Sequence, residues 1–163
     1  MRELSRIFLC FALLLSGSLA YAQNQQLRLI GLDGDEQTVS ADAWGALPRA
    51  HVETIDHEGK PVTFDGVPAS ALLKLVKAPL GRDLRGKNLA IYVVASAADG
   101  YSVVYALTEL DPEFTDRVIL IADRRDGQAL PDKEGPLRVV VPGEKRQARW
   151  LRQLTELKLL RAP

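Results

Sequence analysis

Gly135-Pro136-Leu137-Arg138-Val139-Val140-Val141-Pro142-Gly143 places a mostly apolar, β-branched run between two Gly/Pro turns. A short continuous run bounded this way reads as a strand buried on both faces, Leu137 to Val141. The same plan repeats on either side of it. Val118 to Ala122 is a second continuous run, and it leads into Asp123-Arg124-Arg125-Asp126-Gly127, a turn with Gly127 at positive φ. Leu89 to Ser96 and Tyr101 to Ala106 form a hairpin through Ala97-Ala98-Asp99-Gly100. Leu154 to Leu160 alternates as a last strand.

Nearer the start, Leu27 to Leu32 alternates into the turn Asp33-Gly34-Asp35. Ser40 can cap a short helix through Trp44 that ends at Leu47-Pro48. Val52 to Asp56 and Pro61 to Phe64 read as strands joined by His57-Glu58-Gly59-Lys60. Pro68 opens a helix with Leu72, Leu73 and Val76 on one face, stopped before Pro79. Many short strands and two or three short helices predict an α+β, mainly β domain.

The first 22 residues read as a secretory signal. Arg2 and Arg6 precede nine apolar residues, Ile7 to Leu15, and Ala20-Tyr21-Ala22 supplies an A-x-A cleavage pattern. The apolar run is shorter than the roughly 20 residues a membrane span needs, so no span is expected after cleavage. Ser5-Arg6-Ile7-Phe8-Leu9 holds one arginine rather than two, which favours the general secretory route over twin-arginine export. The expected product is periplasmic or secreted, a single domain over residues 23–163.

The only cysteine, Cys10, falls in the signal. The mature chain is therefore expected to hold no disulfide, thiolate ligand or thiol nucleophile. It carries 19 basic and 20 acidic residues, a balance that argues against nucleic acid as partner. Charge is nonetheless uneven. Residues 23–115 hold 8 basic and 13 acidic groups, and residues 116–163 hold 11 basic and 7 acidic. Lys145, Arg146, Arg149 and Arg152 stand close together with one acid, Glu144. They read either as a solvated loop or as an anion site, because guanidinium forks match phosphate and carboxylate oxygens.

Other candidates have plainer readings. Trp150 reads first as core packing and second as a stacking platform. Tyr101 follows a turn glycine and reads as half-buried. His51 and His57, six residues apart on an extended chain, sit roughly 20 Å apart and cannot share an ion. Asp123 and Asp126 read as a salt-bridged turn rather than a catalytic pair. Asp33, Asp35 and Glu36 lack calcium-loop spacing. Ser70, Ser96 and Ser102 lack a nucleophile elbow, and there is no Gly-rich phosphate loop. No catalytic residue and no metal ligand emerges.

Four segments taken in order resemble the molybdopterin-binding domain of the sulfite-oxidase family. They are Asp99-Gly100-Tyr101, the "DG-x-x-LP" turn from Asp126, the "GP-L-R-V-V-V-P-G" strand from Gly135, and the "K-x-x-x-RW" loop from Lys145. Phe64-Asp65-Gly66-Val67-Pro68 with Leu72-Leu73 is similar to the family's "W-x-G-V-x-L…LL" element, with phenylalanine where tryptophan is usual. The resemblance implies a compact sulfite-oxidase-type molybdopterin-binding fold. It also implies cofactor-facing positions at Lys145, Arg146 and Arg149, with Trp150 packed behind them and Asp99 and Tyr101 bordering the pocket. Catalytic members carry a cysteine just upstream of "W-x-G-V"; here that stretch is His51 to His57, without sulfur.

Two functions follow. The first is an exported module without redox catalysis and without a cofactor, binding a small anionic ligand or a partner protein. The second is an oxidoreductase that binds the molybdenum cofactor, molybdopterin, without a cysteine ligand.

Overall fold

The structure, a computed structural model, describes residues 26–163. The expected signal segment and Cys10 lie outside them. Among the described residues no helix is long and apolar enough to cross a membrane.

Two sheets carry the fold. The first contains β1 (Leu27–Ile30), β2 (Glu36–Val39), β5 (Ile91–Ala97), β6 (Ser102–Ala106) and β10 (Leu154–Arg161), in the order β2-β1-β10-β5-β6. β1 and β10, from opposite ends of the described chain, pair in parallel, and the other neighbours are antiparallel. The second sheet contains β3 (Ala50–Ile55), β4 (Pro61–Pro68), β7 (Leu120–Arg125), β8 (Gln128–Ala129) and β9 (Arg138–Val140). β7 pairs with β4, with β8 at its C-terminal end, and with β9 at its N-terminal end.

Alternation in the sequence becomes burial in the sheets. Leu27 and Leu29 are buried while Arg28 between them faces out to Glu36 and Glu156. β5 alternates without a break, with Ile91, Val93, Ala95 and Ala97 inward. These side chains, Phe64, Val67 and Ile121 of the other sheet, and Leu72 and Leu73 of the short helix α2 (Ala69–Leu75) belong to one buried cluster. The first helix, α1 (Ala41–Gly45), starts where Ser40 predicts: its hydroxyl accepts the Ala43 N–H at 3.2 Å.

The fold class stands as expected: among the described residues it is mostly β with two short α-helices and four 3₁₀ segments of three to five residues. Several boundaries move. β3 begins two residues before Val52, and β4 runs on to Pro68, past Phe64. β7 begins at Leu120 and reaches Arg125, leaving Val118 outside the strand and exposed. The turn is therefore only Asp126 and Gly127, both at positive φ (50° and 76°), the geometry of a tight two-residue hairpin. β2 and β8 have no counterpart in the sequence reading. They are short and mostly polar and exposed, so no hydrophobic period marks them.

Candidate functional site

Three loops converge where β5 ends and β10 begins, at one end of the first sheet. The β5–β6 turn contributes Ala97, Asp99 and Tyr101; the segment before β9 contributes Lys133; residues 147–153 contribute Gln147, Trp150, Leu151, Arg152 and Gln153. Together they line an open cleft of about 360 Å³. Its walls are tied to one another. Tyr101 donates its hydroxyl to the Ala148 carbonyl at 3.0 Å, and Gln147 Nε2 donates to the Ile55 carbonyl at 2.8 Å. Gln153 joins all three loops. Its N–H donates to the Glu134 carbonyl at 2.9 Å, its side-chain amide donates to the Asp132 carbonyl at 2.9 Å, and its own carbonyl accepts the Ala98 N–H at 3.0 Å. Gln153 also sits at φ 50°, a left-handed conformation that non-glycine residues rarely adopt. Such strain persists where the surroundings over-determine it, as they do here.

The structure sorts the sequence candidates into three groups. Asp99, Tyr101 and Trp150 line the cleft. Lys145 and Arg146 are exposed and are not among its lining residues. Arg149 turns away to carboxylates: its Nη2 donates to Glu109 Oε2 at 3.0 Å and its Nε to Glu144 Oε1 at 2.8 Å. Its guanidinium also lies 5.0 Å from the Tyr105 ring centroid. Burial opposes the charge on Arg149, but the bonds to Glu109 and Glu144 outweigh it and raise its pKa. Burial likewise pushes the Tyr105 hydroxyl up, so it stays protonated and donates to the Arg149 carbonyl.

Trp150 is core, 4% exposed, with its indole N–H on the Val141 carbonyl at 2.9 Å and its ring edge-on to Phe64 at 6.0 Å. Tyr101 is half-buried as expected, 51% exposed with its hydroxyl anchored. Asp123 and Asp126 are structural. Asp123 takes the Trp44 indole N–H at 2.9 Å and both ends of the Arg49 fork, not its neighbouring arginines, and Asp126 Oδ1 accepts the Thr63 N–H at 3.0 Å. His51 sits on edge strand β3 and His57 in the turn after it, both exposed.

Of the cleft's cations, Arg152 belongs to the basic loop read from the sequence as a possible anion site, and Lys133 does not. Lys133 and Arg152 line the cleft, and neither has an ion-pair partner among the described residues. Arg152 is near enough to act on the buried Arg138, whose pKa falls first through burial and then through Arg152 and Arg125. Lys133 stands in the "LPDKEGPLR" segment with no local signal to single it out.

The family model described as "Oxidoreductase molybdopterin binding domain" matches residues 23–163. The chain belongs to the molybdopterin-binding oxidoreductase domain family. The fold is of the sulfite-oxidase type. A solved structure titled "Crystal Structure of the Sulfane Dehydrogenase SoxCD from Paracoccus pantotrophus" is similar at a TM-score of 0.65 and 18% identity. The likeness covers 85% of this chain but only 38% of that one, so this chain spans well under half the length of its structural relative. No curated protein matches.

The residues do not fit the metal half of the family's cofactor. A high-valent metal held by dithiolene sulfurs calls for a soft thiolate, and the described residues contain no cysteine. Of the two carboxylates in the corresponding stretch, Glu53 is exposed on β3 and Asp56 is engaged in the turn. Its Oδ1 accepts the Glu58 and Lys60 N–H groups at 2.8 and 2.9 Å, and its Oδ2 takes Arg125 at 2.8 Å. Among the described residues no three His, Cys, Asp or Glu side chains gather as a metal site. Arg149, the guanidinium that the resemblance turns toward the cofactor, is held by two carboxylates, and Glu144 Oε2 is buried beside it without a hydrogen-bond partner. With its remaining nitrogen, Nη1, near the Val104 carbonyl at 3.5 Å, the Arg149 fork is taken up inside the protein.

Asp56 gives a pH signature. The Lys60 N–H does most to hold its carboxyl below the usual value of 3.8, aided by Glu58 and Arg125 against the effect of burial. A carboxyl depressed in the folded state stabilises above its unfolded pKa, and the contribution fades as pH falls through the folded value. At neutral pH the urea midpoint of the wild type is therefore expected to exceed that of Asp56→Asn, with the gap closing as pH drops below 3.8. A gap of constant size down to about pH 2 would show that charge on Asp56 is not what stabilises.

Proposed function

We propose that this protein is an exported ligand-binding member of the molybdopterin-binding family. It takes a small phosphate- or carboxylate-bearing ligand in the cleft between Asp99 and Arg152 and does not run metal redox chemistry. The observation that carries this reading is a pair of cations without an ion-pair partner among the described residues, Lys133 and Arg152, lining a cleft whose walls are braced by Gln153 and Tyr101. Its size falls within the roughly 300–1,000 Å³ of small-ligand sites. The Arg152 fork grips two oxygens of the anion, and Lys133 adds a point charge. Asp99 uses Oδ1 on the Tyr101 N–H at 2.9 Å, which leaves Oδ2 to accept a donor edge of the ligand. The organic, phosphate-bearing part of the family's cofactor belongs to this ligand class. Export rests on the basic start and apolar run of residues 2–15 and places the protein in the periplasm or outside the cell. A partner protein would use the same contacts by presenting a carboxylate or phosphate.

The family match over residues 23–163 favours a second reading, a molybdopterin-dependent oxidoreductase without a protein thiolate. One experiment separates the two: molybdenum, tungsten and pterin analysis of protein purified from its host's exported fraction, followed by thermal melts with inorganic phosphate. The first reading expects metal-free protein whose melting temperature rises with phosphate, by about 2.7 kcal/mol of stability at a hundred times Kd. Lys133→Ala with Arg152→Ala removes that rise. Near-stoichiometric metal and pterin would establish the second reading, and a phosphate response untouched by the double variant would remove the cleft from either.

A further inference from the structure

Glu109 borders a second, separate cleft of about 420 Å³, lined also by Thr108, Phe114, Thr115 and Arg117. No sequence motif points to it. From its chemistry we infer that this cleft binds a small aromatic anion, the ring lying on Phe114 and the carboxylate or sulfonate on Arg117.

The aromatic side chain stands on a hydrogen-bonded loop. Phe114 is 49% exposed, and a lone exposed phenylalanine means little by itself. This one stands on a pinned loop. Asp111, 1% exposed, accepts the Gly81 N–H on Oδ2 at 2.5 Å and the Glu113 N–H on Oδ1 at 2.9 Å. Its carbonyl accepts the Phe114 and Thr115 N–H groups at 3.0 and 3.2 Å. The backbone that carries the ring is thus ordered before a ligand arrives, which lowers the cost of binding.

The polar lining is rich in donors and poor in free acceptors. Arg117 has no ion-pair partner among the described residues. The one lining carboxylate is engaged elsewhere: Glu109 Oε1 takes the Ala106 N–H at 3.1 Å and Oε2 takes Arg149 at 3.0 Å. Thr115 Oγ1 accepts the Arg117 N–H at 3.1 Å, so its own proton is free to donate. Thr108 adds a second hydroxyl. A guanidinium, two hydroxyls and a flat ring complement an acceptor-rich anion on an aromatic body.

Benzoate is the probe, followed by amide-proton NMR. Saturable shifts are expected at Thr108 and Phe114 to Arg117, with a Kd on the order of 1 mM. Arg117→Gln and Phe114→Ser are surface changes, checked by unchanged spectral dispersion, and each is expected to weaken binding about tenfold. Cyclohexanecarboxylate should bind more weakly, and benzyl alcohol should not bind measurably. The Lys133→Ala, Arg152→Ala protein should bind benzoate here unchanged, so failure of the first cleft and failure of this one read separately. Absence of saturable shifts, or shifts that neither Arg117→Gln nor Phe114→Ser alters, would overturn the site.

Discussion

Gly66→Ala is expected to destabilise the fold severely. Gly66 lies in β4 opposite Ala122, where the β4–β7 register shifts between Asp65 and Gly66. A Cβ there would stand 2.1 Å from the Ile121 carbonyl oxygen and 2.6 Å from the Ala122 Cα. Those are backbone atoms of a central strand, so no side chain can swing aside. The need is for close approach of two strands, since Gly66 is not at positive φ. Relief requires parting β4 from β7, at a cost of at least about 4 kcal/mol, against a typical total stability of about 5–15 kcal/mol. Circular dichroism should show a melting temperature lower by more than about 10 °C, or loss of the transition. Gly45→Ala is the control. Gly45 has open space at its Cβ and no positive φ, so that variant should stay within about 1 kcal/mol of the wild type. Equal behaviour of the two would sink the close-approach account of the Gly66-Val67 element.

Removing Glu134 is expected to cost more than removing its partner. The Arg138 guanidinium lies 5.1 Å from the Phe64 ring centroid and 5.7 Å from that of Trp150, with its side chain 5% exposed. Glu134, 12% exposed, is its only ion-pair partner among the described residues. Arg138 Nε is buried without a hydrogen bond. Glu134→Ala strands a desolvated cation between two aromatic rings, at a cost of about 3–5 kcal/mol. Arg138→Met removes the charge together with its desolvation penalty and keeps the packing volume. Glu134 then still has Arg125 at 3.7 Å, so this variant should be close to neutral or more stable. Urea denaturation of the two variants checks the order. A loss below about 1 kcal/mol for Glu134→Ala would mean that water or local movement relieves the charge.

Both variants fall within motifs that were plain in the sequence, and in both the reason for the residue is spatial. The "F-D-G-V-P" element can be read as a string, but the closeness of Ile121 to Gly66 exists only once β4 and β7 pair. The "GP-L-R-V-V-V-P-G" strand reads as buried, but nothing local says that its arginine lies inside, between Phe64 and Trp150.

The candidate site divides along the same line. Asp99, Tyr101 and Trp150 were legible because a hairpin turn and a Trp-bearing loop have local chemistry that motifs capture. Arg149 was legible as a cation, but its ion pairs were not. Its partner Glu109 is 40 positions away, and no spacing rule connects a 3₁₀ turn with a loop that distant. Lys133 and Arg152 gain their role from the same long-range meeting, as three loops fold over one strand end.

Local order came from the chain alone. Alternation at Leu27 and Leu29 and through Ile91–Ala97, the Ser40 cap and the Asp126-Gly127 hairpin all depend on interactions within a few residues, and four ordered motifs sufficed for the family. Charge pairing and pocket shape came from the assembled fold. The described chain holds many arginines and carboxylates that are chemically alike, and which of them meet, and which stay free to hold a ligand, depends on distances that only packed sheets create.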